Sequence, residues 1–318
     1  MALADRLAPR GVFAGIGRSG KSAAGGTALL ALALMLGRNA LAQAQAHAPA
    51  PEPMPPQAEV ALASPFASTR LQAGVGAAHY VSEEPLPDGR VFNREQGTLR
   101  RTTLELRLAE GAWAVTAALR QAHGTLAYRG QTQFGIPLYT QTDLSRCELA
   151  LLAEHQWQPH EGGPTYTLGA GAEALRTVRD IRATPFTTPL TETLSARQWA
   201  LGAAAVQDTA LAGHPVRVTA SAQLNRPFSQ ALAVDTHGVV DPLTLQPGKR
   251  RGGRLGWDMA MALGANVEIG LNLGARFYRP GASESATAYR GGMPVGSASY
   301  PGSVQTVRHC DLVLNWRL

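Results

Sequence analysis

The chain has 318 residues, enough for one large domain or two ordinary ones. Its mean hydropathy of −0.09 is as typical of a membrane barrel with alternating faces as of a soluble protein. The formal net charge is +6, but five basic residues and one acidic residue lie in the first 42 positions, so the remainder carries about +2. That remainder has no basic run and no RNA-binding aromatic motif, which argues against nucleic acid as a partner.

The first 42 residues have the three parts of an export signal. Residues 1–21 carry positive charge, residues 23–37 form an apolar run that is short for a spanning helix, and Ala40-Leu41-Ala42 is a small–x–small sequence of the kind signal peptidase reads. We therefore expect a cleaved signal peptide (1–42), with an uncleaved anchor as the alternative. Residues 43–68 are rich in Ala and Pro and cannot bury enough apolar surface to fold, so we expect a disordered periplasmic segment.

No cofactor or metal site is expected. Residues 15–22 (GIGRSGKS) fit the P-loop pattern, but a P-loop needs a strand, a helix and the rest of an α/β domain, and nothing after residue 42 alternates strand with helix. Cys147 and Cys310 give neither a CxxC pair nor metal-type spacing. They also fall on distant predicted strands, so we expect both to stay unpaired.

From residue 69 onward apolar residues recur at every second position, which places successive side chains on opposite faces of a sheet. In the clearest case, residues 267–278, Leu271 falls on the apolar face and Asn272 on the polar one. Ten such segments occur, at 71–81, 99–108, 113–123, 144–157, 166–178, 194–206, 216–225, 255–263, 267–278 and 310–318. They have the length that a tilted strand needs to cross the hydrocarbon layer. Residues 69–318 are therefore predicted to be all-β, as a transmembrane antiparallel up-and-down β-barrel of about ten strands.

The connections between these segments alternate in length. The short ones are near 109–112, 158–164, 207–215 and 264–266, and the long ones near 82–98, 124–143, 179–193, 226–254 and 279–303. Short periplasmic turns, long outer loops and periplasmic termini are typical of outer-membrane barrels. Trp113, Trp157 and Trp316 fall at predicted periplasmic strand ends, where an aromatic girdle belongs. A soluble β-sandwich or lipocalin-like barrel is the alternative, but its outer face would carry more charge.

The leader ending Ala40-Leu41-Ala42, the strands 216–225 and 267–278, and the final strand Cys310–Leu318 resemble the small outer-membrane barrels of Gram-negative bacteria. The resemblance covers residues 69–318 and is architectural. It implies an outer-membrane location with both termini in the periplasm, and contact with outer-membrane lipid, lipopolysaccharide and the barrel assembly machinery. The family usually ends in an aromatic residue that the machinery reads, whereas this chain ends in Leu318.

Ten strands enclose a narrow interior that side chains largely fill. Charged residues of both signs fall on the inward face and are expected to pair, because isolated charges there would be costly. They are Glu105, Arg107, Arg120, Glu148, Glu154, Glu173, Arg217, Asp258, Glu268, Arg276 and Asp311. The pattern disfavours a wide porin and favours a narrow or largely closed channel, or a surface-exposed binding protein. A purely structural role for the charges is the alternative.

A polar cluster suggests a ligand-binding mouth for a small solute, with an ordered loop of no binding role as the alternative. Its members are Tyr128, Arg129, Gln131 and Gln133 in the second long loop, and Arg176, Arg179, Asp180 and Arg182 at the top of the fifth strand.

Asp235-Thr236-His237, in the fourth long loop, is the one weak catalytic candidate. Omptin-type proteases are also ten-stranded barrels, and they place an Asp-x-His pair in this region, facing two aspartates across a groove. A histidine oriented by an aspartate can activate water. The matching aspartates are not visible here, since the first loop offers Glu83, Glu84 and Asp88 and the second only Asp143. The resemblance to omptins is therefore half complete, and an omptin-like hydrolase is the alternative function.

Overall fold

The computed structural model describes residues 69–86, 89–131 and 137–318. Within these ranges the chain forms thirteen strands: β1 (Arg70–Pro85), β2 (Val91–Glu110), β3 (Trp113–Gln131), β4 (Pro137–Trp157), β5 (Thr165–Ile181), β6 (Leu190–Leu211), β7 (His214–Asp235), β8 (Leu243–Leu245), β9 (Gly252–Ala262), β10 (Val267–Tyr278), β11 (Ala286–Arg290), β12 (Met293–Ala298) and β13 (Val304–Arg317). Among the described residues, no helix is long and apolar enough to cross a membrane.

Ten of the strands form a closed antiparallel barrel in the order β1-β2-β3-β4-β5-β6-β7-β9-β10-β13, and β13 pairs back onto β1. Following paired residues once around the barrel from Trp157 on β4 leads back to Ser145 on the same strand, a displacement of 12 residues. Such a displacement means that the strands are strongly tilted, as closure requires. The predicted ten-stranded barrel is confirmed, and each predicted segment lies on one of its strands.

The two ends of the barrel differ, and we call the end that holds Arg70 and Arg317 the terminal end and the other the distal end. The terminal end has short turns, at Gly111-Ala112, residues 158–164, Ala212-Gly213 and residues 263–266. Two of the distal connections carry additional strands: β8 pairs with β7, and β11 pairs with β12 as a separate hairpin. The β7–β9 and β10–β13 connections are long, as predicted, but the β1–β2 and β3–β4 connections (86–90 and 132–136) are shorter than the terminal turn at 158–164, so the predicted alternation of lengths is met only in part.

The predicted distal loops were wrong in extent, because most of their residues continue the strands. β3 runs to Gln131 instead of ending near 123, β4 begins at Pro137, and β7 runs to Asp235. The two faces exchange character in these extensions. Leu126 and Leu144 point inward and are buried, while the outward positions hold polar residues such as Asp143. In these extensions the inner face is thus the more apolar one, although Tyr139 on β4 is exposed on the outside.

Inward-facing apolar residues fill the distal half of the lumen as two clusters. The first contains Ala78, Tyr80, Leu99, Ala122, Leu126, Leu144 and Val307. The second contains Leu175, Leu194, Ala196, Leu232, Leu245, Tyr278 and Tyr300, and so includes residues from β8 and from the β10–β13 connection. The distal half is therefore packed like the core of a soluble barrel.

Aromatic residues mark the terminal edge of the lipid-facing wall. Trp113 contacts His155 in an edge-to-face arrangement and Trp157 stacks on the same ring, with centroids 4.8 and 6.1 Å apart, and Tyr166 stacks on Trp157 at 5.9 Å. This agrees with the predicted girdle position. From Trp113 to His123 on β3, ten residues rise roughly 25 Å along the axis at about 3.3 Å per residue and a tilt of about 40°, which matches the apolar band of outer-membrane barrels.

Cys147 on β4 and Cys310 on β13 are both free and point outward, as predicted. The signal peptide and the Ala/Pro-rich segment lie outside the described residues, so these assignments remain predictions.

Candidate functional site

All eleven charged residues assigned to the interior by sequence point into the lumen, and they pair with one another or with neighbouring inward residues. The contacts are Glu105–Arg120, Arg107–Glu154, Arg217–Glu268, Asp258–Asn272, Asp311–Arg101, and those of Glu148 and Glu173 with Arg276. The expectation of a paired interior network is thus met.

Five of the inward residues meet in the middle of the barrel, and we call them the central charge cluster: Arg146, Glu148, Glu173, Arg254 and Arg276. Arg276 donates to both carboxylates, at 2.7 Å in the case of Glu173. Arg146 donates to Glu148 at 2.9 Å, and Arg254 lies 3.4 Å from each glutamate. The cluster contains three guanidiniums and two carboxylates, so it carries one excess positive charge.

The central charge cluster reaches across the lumen. Glu148 on β4 and Arg276 on β10 are five strands apart in either direction around the barrel, and their side chains nevertheless touch. Glu173 also accepts hydrogen bonds from Gln198, Gln223 and Asn225, at 2.7, 2.7 and 2.9 Å. Side chains from six neighbouring strands (β4, β5, β6, β7, β9 and β10) therefore meet at this level, and the two distal apolar clusters lie beyond it.

Between the central charge cluster and the terminal end lies a cavity of about 770 Å³. Its lining is mixed, with small and apolar residues beside polar ones, and includes several arginines that have carboxylate partners. Glu268 contacts three of them, Arg70 at 3.6 Å, Arg217 at 3.5 Å, and Arg317. Most of the charges that line the cavity are therefore held in ion pairs.

A second ionic group lies in the distal half, around Arg179. Its guanidinium contacts three carboxylates, Glu192 at 2.6 Å, Glu95 at 3.0 Å and Glu84 at 3.6 Å. Tyr300, from the β10–β13 connection, is buried near this group, and both its burial and the negative charge of Glu84 raise the pKa of its hydroxyl. This ionic group thus ties β1, β2, β5 and β6 together.

The eight residues proposed as a ligand-binding mouth do not line one surface. Among them only Tyr128 and Arg179 point inward, and both are buried. Five lie on the outside of the barrel or in its distal connections: Arg129, Gln131, Arg176, Asp180 and Arg182. Arg182 pairs with Asp143 at 2.9 Å, which raises the pKa of its guanidinium further above the usual value. Gln133 lies outside the described residues.

Asp235 and His237 lie together at the distal end, but the carboxylate does not hold the imidazole. Asp235 Oδ1 accepts a hydrogen bond from the backbone N–H of His237 at 2.8 Å, and His237 has a φ of 53°. The imidazole Nε2 instead lies 3.1 Å from the Thr191 hydroxyl, which donates to Asp180 at 2.7 Å. When the hydroxyl proton is donated to Asp180, Nε2 is the donor to Thr191, which leaves Nδ1, with no contact to Asp235, as the ring nitrogen that could accept a proton.

Sequence reasoning missed several inward arginines, above all Arg101, Arg146 and Arg254. Their period-two parity was readable, since each lies two, four or six residues from a position assigned to the lumen. No group of three or more His, Cys, Asp or Glu within the described ranges is arranged to hold a metal ion.

No protein-family model matches the chain, and no curated protein matches it significantly. Among solved structures, it is similar to the outer-membrane protease OmpT from Escherichia coli, with a TM-score of 0.52 at 9% identity over 81% of this chain and 99% of that one. It also matches the translocator domain of the autotransporter NalP from Neisseria meningitidis, with a TM-score of 0.40 at 12% identity over 92% and 98% of the two chains. OprG from Pseudomonas aeruginosa gives 0.34 at 10% identity over 80% and 97%. The closed ten-stranded barrel and its likeness to OmpT show that the chain has the fold of the outer-membrane β-barrels of Gram-negative bacteria.

Proposed function

We propose that the protein is an outer-membrane barrel that is closed to diffusing solutes and acts through its distal surface, as a surface-exposed binding protein. The observation that carries this proposal is the central charge cluster, in which side chains from opposite walls touch across the lumen. The fold supports an outer-membrane location. The short turns at the terminal end favour a periplasmic position for both termini and an external position for the distal end.

The charges and the packing of the lumen argue against a pore. Arg276 and Glu173 are 6% and 2% exposed, so almost no solvent reaches the central pair. An ion passing this level would have to break a buried, hydrogen-bonded network, and two apolar clusters block the path beyond it. Rearrangement of both layers would be needed to open a channel.

The distal end has the features of a binding surface. Large apolar side chains are exposed there, including Tyr139 at 70%, Phe186 at 85% and Met293 at 69%. The β11–β12 hairpin that carries Met293 is fixed to the β7–β9 connection, because Asp241 accepts hydrogen bonds from the backbone N–H groups at the hairpin turn at 3.1 Å. Exposed aromatic residues on a rigid support are typical of protein interaction surfaces.

Planar-bilayer recordings test the closed lumen. The refolded protein should give no steady ohmic conductance above the bare bilayer, and a stable open-pore current would contradict the proposal.

The proposed orientation is tested with single-cysteine reporters in a Cys147→Ser/Cys310→Ser background. A membrane-impermeant maleimide should label Phe186→Cys on intact cells, and Gly163→Cys only after the outer membrane is permeabilised. The reverse pattern would place the distal surface in the periplasm and rule out a role in external binding.

An omptin-like hydrolase that uses Asp235 and His237 is the second candidate. Its support is that the pair lies at the distal end of a barrel with the OmpT fold. The hydrogen bonds described above argue against it, because the carboxylate is used by the backbone and Nε2 by Thr191. Glu95 and Glu192, buried acidic residues in the distal half of the lumen, are already paired with Arg179.

A further inference from the structure

The 770 Å³ cavity, which we call the terminal cavity, has the size of a small-molecule site and one route of entry. Proteins bind small molecules in pockets of roughly 300–1,000 Å³. Toward the distal end the cavity stops at the central charge cluster, and toward the terminal end its lining continues to Gly162 and Gly163 in the β4–β5 turn. A solute can therefore enter it from the terminal end.

The charges around the terminal cavity balance except at its closed end. Seven arginines and five acidic residues line it. Six of the arginines are matched in number by the five acids and by Glu268, which contacts three of these arginines. The seventh is Arg254, through which the central charge cluster, with its one excess positive charge, reaches the cavity. The unbalanced charge therefore lies at the closed end.

Two arginines from opposite walls meet at this closed end. Arg120 on β3 and Arg254 on β9 are five strands apart in either direction around the barrel, and the charge of Arg120 nevertheless acts on Arg254. Like charges at close range repel, so an anion between them would stabilise both. We call this pair the floor arginines.

The floor arginines are held only loosely by carboxylates. Arg120 lies 3.5 Å from Glu105. Arg254 lies 3.4 Å from both Glu148 and Glu173, and it makes both contacts through the single atom Nη2. Charge-assisted hydrogen bonds are normally about 2.7–2.9 Å long. Nη1 of Arg120 is buried without a hydrogen-bond partner among the described residues, so guanidinium donors are in excess here.

We propose that the terminal cavity binds a small hydroxylated carboxylic acid, with its carboxylate on the floor arginines and its body toward the terminal end. Guanidinium groups bind carboxylates through paired hydrogen bonds. One carboxylate carries the single negative charge that the closed end requires, whereas a phosphate monoester carries about −1.5 to −2. This site is separate from the distal surface, and a pore current in the bilayer recordings would contradict the closed lumen without removing the carboxylate site.

The remaining lining selects the body of the ligand. Amide and hydroxyl side chains, among them Gln72, Gln156, Thr167 and Thr219, lie beside small and apolar residues, and within the described ranges no Phe, Tyr or Trp lines the cavity. An acyl chain or a flat aromatic ligand would leave these polar groups without partners. A sugar acid presents hydroxyl and C–H groups together and therefore matches a mixed lining.

Isothermal titration calorimetry of the refolded protein in detergent tests the proposal. The probes are lactobionate, a sugar acid with one negative charge, and lactose, a neutral sugar of similar size. Lactobionate should bind at least tenfold more tightly than lactose, a comparison that needs no substitution.

Variants of the lining locate the site. Arg120→Gln should weaken lactobionate binding at least tenfold, and Arg120→Lys, which keeps the charge but loses the paired donors, should weaken it less. The matched control is Arg107→Gln, which removes the same charge from the same lining and also leaves a glutamate, Glu154, without its arginine partner. Arg107 is opposite Arg70 at the terminal end, away from the floor arginines, so its loss should change the affinity less than threefold. Every variant is first shown to be folded by heat-modifiability on a gel.

Four results would overturn the proposal. They are no binding of lactobionate to the unaltered protein, equal affinity for lactose, equal losses in Arg120→Gln and Arg107→Gln, and full competition by equimolar inorganic phosphate. The last result would identify a site for any small anion, with no role for the hydroxylated body.

Discussion

Neutralising Glu173 should destabilise the barrel more than neutralising Arg276, although the two side chains are partners. The central charge cluster has three guanidiniums and two carboxylates, so the two substitutions change its balance in opposite directions. Arg276→Gln leaves two guanidiniums facing two carboxylates. Glu173→Gln leaves three guanidiniums facing the single carboxylate of Glu148, and buried like charges repel strongly.

The hydrogen bonds of Glu173 increase this difference. Its carboxylate accepts from the amide groups of Gln198, Gln223 and Asn225, and a glutamine in its place would direct an NH₂ group at one or more of these donors. Removing one partner of a buried pair costs about 3–5 kcal/mol of unfolding free energy, so we expect Glu173→Gln near the top of this range and Arg276→Gln near the bottom. The double variant should cost less than the sum of the two, because they share one network.

Reversible urea unfolding in liposomes, followed by tryptophan emission and by the gel shift on boiling, measures these free energies. Asp208→Asn is the control, since it removes a carboxylate that is 72% exposed and pairs with Arg217, and it should cost under about 1 kcal/mol. A larger cost for Arg276→Gln than for Glu173→Gln, or costs no greater than that of the control, would refute the charge-balance argument.

Four further predictions concern the two faces of the barrel, one turn, the candidate catalytic pair and the processing of the N-terminus. Leu271 faces lipid and Asn272 the terminal cavity, so Leu271→Arg should cost roughly 2–4 kcal/mol of folding free energy in liposomes and more than Asn272→Arg; equal costs would invalidate the face assignment. In the β6–β7 turn, Ala212 has a φ of 51° before Gly213, and Ala212→Asn should raise the unfolding free energy by about 1 kcal/mol, whereas a loss would mean that the turn is not left-handed. The refolded protein should not cleave dibasic peptides in detergent containing lipopolysaccharide, and His237→Ala should leave folding unchanged; cleavage that disappears in this variant would favour the hydrolase. N-terminal mass spectrometry of the outer-membrane fraction should find Gln43 as the first residue, and retention of residues 1–42 would contradict the export model.

The barrel and its faces could be predicted from the sequence because a strand has a strict period of two. Leu271 and Asn272 are adjacent, and a face assigned to one determines the face of the other and of the whole segment. The same rule placed Glu148 and Arg276 in the lumen. It could not predict that they touch, because contact across a barrel depends on the accumulated register of five strand pairs, and each turn adds its own shift.

The period-two rule was not applicable to the first half of the candidate ligand-binding mouth, because its residues from Tyr128 to Gln133 were predicted to lie in a loop. Tyr128 and Arg129 were assigned together to a loop, where neighbouring side chains have no fixed relation. In the structure both lie on β3, so Tyr128 points into the lumen and Arg129 outward. The strand extensions in this region are hard to predict from the sequence. A pattern with apolar residues on the outer face is not met there, because the apolar residues of the extensions lie on the inner face.

This exchange of faces bears on the proposed closure of the lumen. In the terminal half, lipid covers the wall, leucines point outward, and the interior is free to hold water and paired charges around the 770 Å³ cavity. In the distal half, the outer face is more polar, leucines turn inward, and the lumen holds two apolar clusters and the ionic group around Arg179. The boundary between the halves lies near the central charge cluster. The proposed closure of the lumen thus falls at the level where the outer face of the wall changes from apolar to polar.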